Sequence, residues 1–376
     1  MSKSPTLPLF ADNLGVPQYL MGFVAAASTI PGILISLPAG SLSDTYGRRR
    51  ILILSAFIFA SAPFLYIFVT FPWQLVLVRF YHGFATAMFV PVASAAVLDS
   101  FPDKKGEKVS TFSSATLIGR GIAPFLAGYL LSITSSSFSS VYTSIGIVGI
   151  AAFGTSLALY RINTTEAAAF ERPSQWKGLQ NLFRDWARVA TTRGIIATSM
   201  VEAAMYFTFG AFEFFLALYA KSLGFDSLSI GVIMGAQIVT VMVSKPFLGR
   251  VSDRHGRRMP ILVGLIIGSL PLIATPFATH LLELAAISIV YGLGLSTVTS
   301  STIALVSDLT RQESYGASIG FLRTIMDIGQ ALGPISTGII LEMTTGYFIA
   351  FFTLGGILLA FFLFFYALIG RKTENP

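Results

Sequence analysis

Glu202, Tyr206, Phe209 and Glu213 follow one another at spacings of four, three and four. At about 100° per residue they share one face of a helix. Two acids and two aromatics on one face make the wall of a cavity. Glu202 is the leading proton-coupling candidate, because loss of water disfavours the charged form of a carboxyl. Its bland reading is a salt bridge to an arginine of the bundle. Glu213 lies nearer the helix end and reads as hydrated. Arg79 has His82 one turn away, Arg323 has Asp327 four residues on, and Arg120 stands alone. Arg323 and Asp327 have the spacing of a pair within one helix.

Other chemistries are poorly supplied. The chain has no cysteine, so disulfides, thiol catalysis and thiolate metal sites are excluded. His82, His255 and His280 have no metal-ligand spacing. Neither a phosphate-binding loop nor a catalytic triad pattern occurs. No enzyme, cofactor or metal is expected, and energy for any vectorial work should come from an ion gradient.

The elements that carry the charged residues are apolar. Hydrophobic residues make up 54% of 376, and charged residues only 11%, against about 25% in soluble proteins. A membrane helix needs about 20 mostly apolar residues. Eleven such runs are present: 18–40, 51–71, 74–97, 111–133, 138–160, 194–219, 229–248, 260–279, 282–306, 316–342 and 346–369. Arg79, Arg120, Glu202, Glu213, Arg323 and Asp327 lie inside them. Each charge near mid-membrane costs about 2.5–3.5 kcal/mol, and unpaired they would sum to about 15–20 kcal/mol. They must pair, neutralise or face water.

Nineteen Lys/Arg lie on alternate connections, at 48–50, 104–108, 161–193, 250–258, 311 and 371–372. The other side has only Lys3 and Lys221, and Lys245 sits near a helix end where it can snorkel. This asymmetry places the C-terminus and the 161–193 loop in the cytoplasm, with the protein multi-pass in an inner or plasma membrane. It also accounts for the net charge of +7 without nucleic acid. Within the loop Trp176, Leu179, Phe183, Trp186 and Ala190 recur at helical spacing, which predicts an amphipathic helix on the membrane surface. Most of Phe207, Phe209, Phe212, Phe214 and Phe215 are expected to face lipid.

The chain repeats itself. Gly40, Asp44, Gly47, Arg48 and Arg49 recur as Gly249, Asp253, Gly256, Arg257 and Arg258, an offset of 209. The same offset pairs Gly83 with Gly292 and Asp99 with Asp308. An offset of 210 pairs Gly119, Pro124 and Gly128 with Gly329, Pro334 and Gly338. The expected architecture is all-α: a first bundle at 1–160, a linker at 161–193 and a second bundle at 194–376, related as parallel repeats. The repeat puts the start of the helix equivalent to 194–219 before residue 1, leaving only an outer stub, Leu7-Pro8-Leu9-Phe10. Eleven helices of a twelve-helix plan are therefore expected, as in an N-terminally truncated form.

These features resemble the major facilitator superfamily, whose signature G-x-x-x-D-x-x-G-R-R stands here twice. Arg79 to Ala87 is similar to that family's fourth-helix motif, an arginine four residues before glycine. Gly119 to Gly128 resembles the fifth-helix motif of drug/proton antiporters, with Ala123 and Ala127 replacing two glycines. Its second copy keeps Gly329, Gly333 and Pro334. The resemblance implies two six-helix bundles, a central cavity, alternating access, and a cytoplasmic latch formed by the repeated loop. It also implies that Arg79 helps proton exchange.

The residues give a parallel account. Gly40 and Gly249 allow another helix to approach. Asp44 and Asp253 can cap a helix or pair with an arginine, and Gly47 and Gly256 permit a tight turn. Arg48, Arg49, Arg257 and Arg258 anchor the loop at an anionic surface. The glycines of the fifth-helix motif read as close helix packing. The expected function is proton-coupled efflux of small organic or amphipathic molecules by a monomer in membrane lipid. Alternatives are proton symport of a sugar or organic anion, and a truncated remnant that does not transport.

Overall fold

A computed structural model describes residues 5–35, 43, 46–101, 105–162, 192–310, 315–344 and 346–369. Gly40, Asp44 and the linker segment with Trp176, Leu179, Phe183, Trp186 and Ala190 lie outside the described residues. In chain order the helices are α1 (Thr6–Asn13), α2 (Gln18–Ala26, with further helix at 30–35), α3 (Arg48–Ile67) and α4 (Pro72–Ser100). Next come α5 (Lys105–Ile133), α6 (Phe138–Ile162), α7 (Arg193–Ser222) and α8 (Ser227–His255). The last four are α9 (Arg258–Ala274), α10 (Leu281–Leu309), α11 (Tyr315–Thr344) and α12 (Tyr347–Ile369). Among the described residues, eleven helices are long and apolar enough to cross a membrane.

Local chemistry sets the breaks. Asp226 caps α8, its carboxylate accepting from the Ser229 amide at 3.0 Å. Hydrogen bonds from Ser229 hold that carboxyl below the usual aspartate range. Gly47 and Gly256 take φ of +88° and +81°, a region where an L side chain is strained. They turn the chain tightly before α3 and α9.

The halves meet along two seams that mirror each other through the repeat. α2 crosses α11 where Gly338 meets Gln18 and Gly22, and Gly22 meets Pro334. α5 crosses α8 where Gly128 meets Ser227 and Gly231, and Gly231 meets Pro124. Each contact in one seam is the offset counterpart of a contact in the other. A Cβ on Gly128 would stand 2.6 Å from the Ser227 carbonyl oxygen, so only glycine lets these backbones approach. Both seams lie toward the end of the molecule opposite Arg48–Arg50 and Arg257–Arg258, called here the far end and the basic end.

Three expectations need correction. Phe212, Phe214 and Phe215 are buried, because α7 runs through the middle of the molecule against α10, α11 and α12. Gly249 has nothing within 4 Å of a would-be Cβ, so it serves no close helix approach in this arrangement. Gly119 is equally open, whereas its counterpart Gly329 meets the Ala203 backbone and Gly333 meets the Phe207 backbone. The cause is the slot that α7 fills in the second half. Among the described residues, the first half fills its own slot only with the short α1.

Candidate functional site

The fourth-helix motif grips a break in α2. The helix is interrupted by a turn at 27–29, just before Pro31, which has no amide hydrogen to continue the ladder. Arg79 donates through Nε to the Val24 carbonyl at 3.3 Å. Through Nη2 it donates to the Ala25 carbonyl at 3.3 Å and the Ser28 hydroxyl at 2.5 Å. One turn along α4, a Cβ on Gly83 would stand 2.5 Å from the Ser28 carbonyl oxygen. The arginine and the glycine thus hold the same turn. His82 points elsewhere, with Nδ1 3.4 Å from the Tyr66 hydroxyl and its ring against Phe59.

Two cavities lie between the halves. The larger, about 290 Å³, is lined by Ser28 and Thr29 of the turn that breaks α2, Thr86 of α4, and Arg323, Asp327 and Gln330 of α11. It is at the small end of ligand pockets, which span about 300–1,000 Å³. The smaller, about 20 Å³, lies toward the far end and shares Thr29 and Gln330 with it. Arg79 and Glu213 both line the smaller one.

The acidic face of α7 is therefore divided. Glu213 lines the small cavity, while Glu202, 1% exposed, accepts from the Thr302 hydroxyl of α10 at 2.5 Å. Tyr206 and Phe209 stack edge to face at 5.8 Å. Lys245 corrects another expectation. It is half-buried, and its ammonium feels the charges of Glu202, Arg120 and Arg323. It turns into the charged interior rather than out to the interface, because α8 carries it along the seam facing α5 and α7. Arg120 is exposed beside the open slot at Gly119, and its charge reaches Tyr206.

At the basic end, the repeated loop closes in the same way in each half. Arg48 pairs with Asp99 at 2.5 Å, and Arg257 pairs with Asp308 at 2.9 Å. Arg257 also pairs with Asp253 within one turn. Hydrogen bonds to Asp253 and then Asp308 push the Arg257 guanidinium above its ordinary value. Each pair stays within its own half. Arg49 and Arg258 flank these anchors on α3 and α9. At the far end an ion pair does cross between halves: Lys221 reaches Asp12 at 2.5 Å.

Asp99, Asp308, Asp12, Lys221, Thr302 and Lys245 were not singled out as site residues from sequence. Asp99 and Asp308 were marked only by the 209 offset, which had no chemistry attached, and Lys221 only by the count of basic residues. Among the described residues, no three His, Asp or Glu side chains gather as a metal would require.

The family model described as the Major Facilitator Superfamily matches residues 3–233 and 198–376. An uncharacterized MFS-type transporter of Methanocaldococcus jannaschii is 23% identical over 345 residues, covering 90% of this chain and 86% of the relative. A multi-drug resistance efflux pump PmrA homolog of Lactococcus lactis is 23% identical over 342 residues, covering 88% and 82%. Among solved structures, a bacterial homolog of the human lysosomal transporter Spinster, in an inward-facing and occupied conformation, aligns with a TM-score of 0.79 at 14% identity. That alignment covers 98% of this chain and 93% of the other.

Proposed function

The chain belongs to the Major Facilitator Superfamily, a family of transporters rather than enzymes, and from that premise we propose that it exports small organic, amphipathic molecules in exchange for protons. The observation that carries this reading is the cavity between the halves. Its wall combines Arg323 and Asp327 with Thr86, Val90 and Met326, so it can take a molecule with one polar and one apolar side. The multi-drug efflux relative supports the direction. The basic end is cytoplasmic by the asymmetry of Lys and Arg, and the C-terminus lies on that side. The far end, with both glycine seams and the Asp12–Lys221 pair, is then the outer gate, closed in this structure.

The protein works as a monomer in the inner or plasma membrane, with bundles at 1–160 and 194–376 rocking about the cavity. The Arg48–Asp99 and Arg257–Asp308 pairs fix the inner loops to their own bundles, as the two halves of a cytoplasmic latch would require. Glu202, Glu213 and Asp327 are the acids within the membrane from which coupling is drawn.

Proteoliposomes with an imposed pH gradient test the reading, with ethidium as probe. Ethidium moving against the proton flux is expected. Movement in the same direction as protons would overturn antiport and leave symport of a sugar or organic anion, which Arg323 in the cavity wall favours.

A further inference from the structure

α8 carries a stripe that neither neighbouring helix covers. Val243, Phe247, Arg250 and Arg254 follow one another at spacings of four, three and four, which keeps them within about 60° of one another around the helix. On one flank of this stripe Gly231 and Gly235 meet α5, and on the other Gln237 meets Gly292 of α10. On the opposite side Met234 and Ser252 are buried, and Lys245 turns into the charged interior. The stripe therefore faces outward, where the spans meet lipid. Val243 is 67% and Phe247 60% exposed. Arg250 and Arg254 are exposed in the last two turns of the helix, at the basic end.

These two arginines are surplus to the repeated loop. The acids of that loop are already taken, because Arg257 pairs with both Asp253 and Asp308. Among the described residues no carboxylate pairs with Arg250 or Arg254. Arg250 donates through Nε to the Pro246 carbonyl of its own helix, which leaves its two Nη groups for an outside acceptor. The 209 offset puts Ser41 and Thr45 in the equivalent places of the first half. Leu34, the counterpart of Val243, is 62% exposed. Apolar exposure thus occurs in both halves, and the arginine pair in one.

We propose that this stripe binds an anionic phospholipid. An acyl chain lies along Val243 and Phe247, and the headgroup phosphate sits between Arg250 and Arg254, whose backbones are about 6 Å apart along the helix axis. Guanidinium holds phosphate through paired, charge-assisted hydrogen bonds, and each basic residue near the membrane surface favours an anionic lipid. A zwitterionic lipid has the same phosphate but carries its own cation beside it, which the two arginines repel. The bound lipid fastens the basic end of α8 to the membrane, a hold that the first half lacks at the equivalent place. The assignment needs only that the chain crosses a membrane, so it stands apart from what is transported and in which direction.

Brominated lipids test it, since bromine quenches a tryptophan that it touches. The full chain, with Trp73, Trp176 and Trp186 replaced by Phe, receives one reporter, Val243→Trp or Leu34→Trp. It is reconstituted in mixtures of phosphatidylcholine and brominated phosphatidylglycerol. At Val243→Trp, phosphatidylglycerol is expected to displace phosphatidylcholine with a preference of about fivefold for each arginine. The preference should disappear when Arg250→Gln and Arg254→Gln are combined, and none is expected at Leu34→Trp. An equal preference at Leu34→Trp would mean diffuse attraction to the basic end and would overturn the site. A preference that survives the double Gln variant would overturn it too. Spin-labelled phosphatidylglycerol on the chain with its native tryptophans covers the case in which the reporter chain does not fold. The wild type is expected to immobilise more of it than of spin-labelled phosphatidylcholine. Equal immobilisation of the two lipids, or an excess unchanged in the double Gln variant, overturns the proposal.

Discussion

Asp12 and Lys221 stand 209 residues apart, occupy equivalent places in the two halves, and pair with each other at 2.5 Å. Both are partly exposed, and such pairs contribute about 0.2–1 kcal/mol. That is too little to close the far end alone. A double-mutant cycle with Asp12→Asn and Lys221→Met should return a coupling energy in that range, shrinking at high salt. A coupling several times larger would mean that the pair, rather than the glycine seams, holds the halves together at the far end.

The seams should dominate. Gly231→Val places side-chain atoms against Pro124 and Gly128 and should force α5 and α8 apart at the far end. The chain has no cysteine, so spin labels can be attached at Tyr129→Cys and Leu228→Cys, both exposed positions on these helices. The expected result is a longer label distance in Gly231→Val and little change in Lys221→Met.

Gly119 and Gly329 are repeat counterparts with opposite surroundings. Gly119→Leu should express and melt like the wild type, because open space surrounds it. Gly329→Leu would strike the Ala203 backbone and should lose yield or several degrees of thermal stability. Equal tolerance at both glycines would contradict the open slot.

Asp226 gives a pH signature. Its folded-state value is depressed, so the cap contributes above the ordinary aspartate range and is lost as pH falls through the lowered value. Asp226→Ala should cost about 0.5–2 kcal/mol at neutral pH. The gap to wild type should close in acid, and Asp226→Asn should stay near wild type at both.

Thr302→Val should leave the Glu202 carboxyl without its hydroxyl partner in a dry site, at a cost of about 1–3 kcal/mol. Thr302→Ser, which keeps the donor, should recover most of the loss. Thermal denaturation in detergent reads both.

The spans, the repeat and the tight turns at Gly47 and Gly256 were legible in the sequence, because apolar length, self-similarity and left-handed backbone are local properties. The arginines of the basic end were legible too, though not their pairing with the aspartates at the ends of α4 and α10. Arg79 was marked by the fourth-helix pattern, but its grip on the α2 break depends on a contact some fifty residues away. The face of α7 misled for a physical reason. Helical spacing places Glu202 and Glu213 on one stripe, but the stripe passes from the second bundle's interior to the inter-half seam, so its two acids meet different partners. The phenylalanines misled likewise, since composition cannot separate a helix bathed in lipid from one encased by other helices.

The far-end ion pair bears on how such a molecule can have arisen. At a site where a duplicated element meets its own copy, two identical halves would oppose like with like, aspartate to aspartate or lysine to lysine. The attraction seen here exists only because the copies have diverged in opposite directions at one position. A protein assembled from two identical first halves, or two identical second halves, would repel itself at its far end. The asymmetry of the pair thus makes the two halves complementary parts that cannot be exchanged for one another.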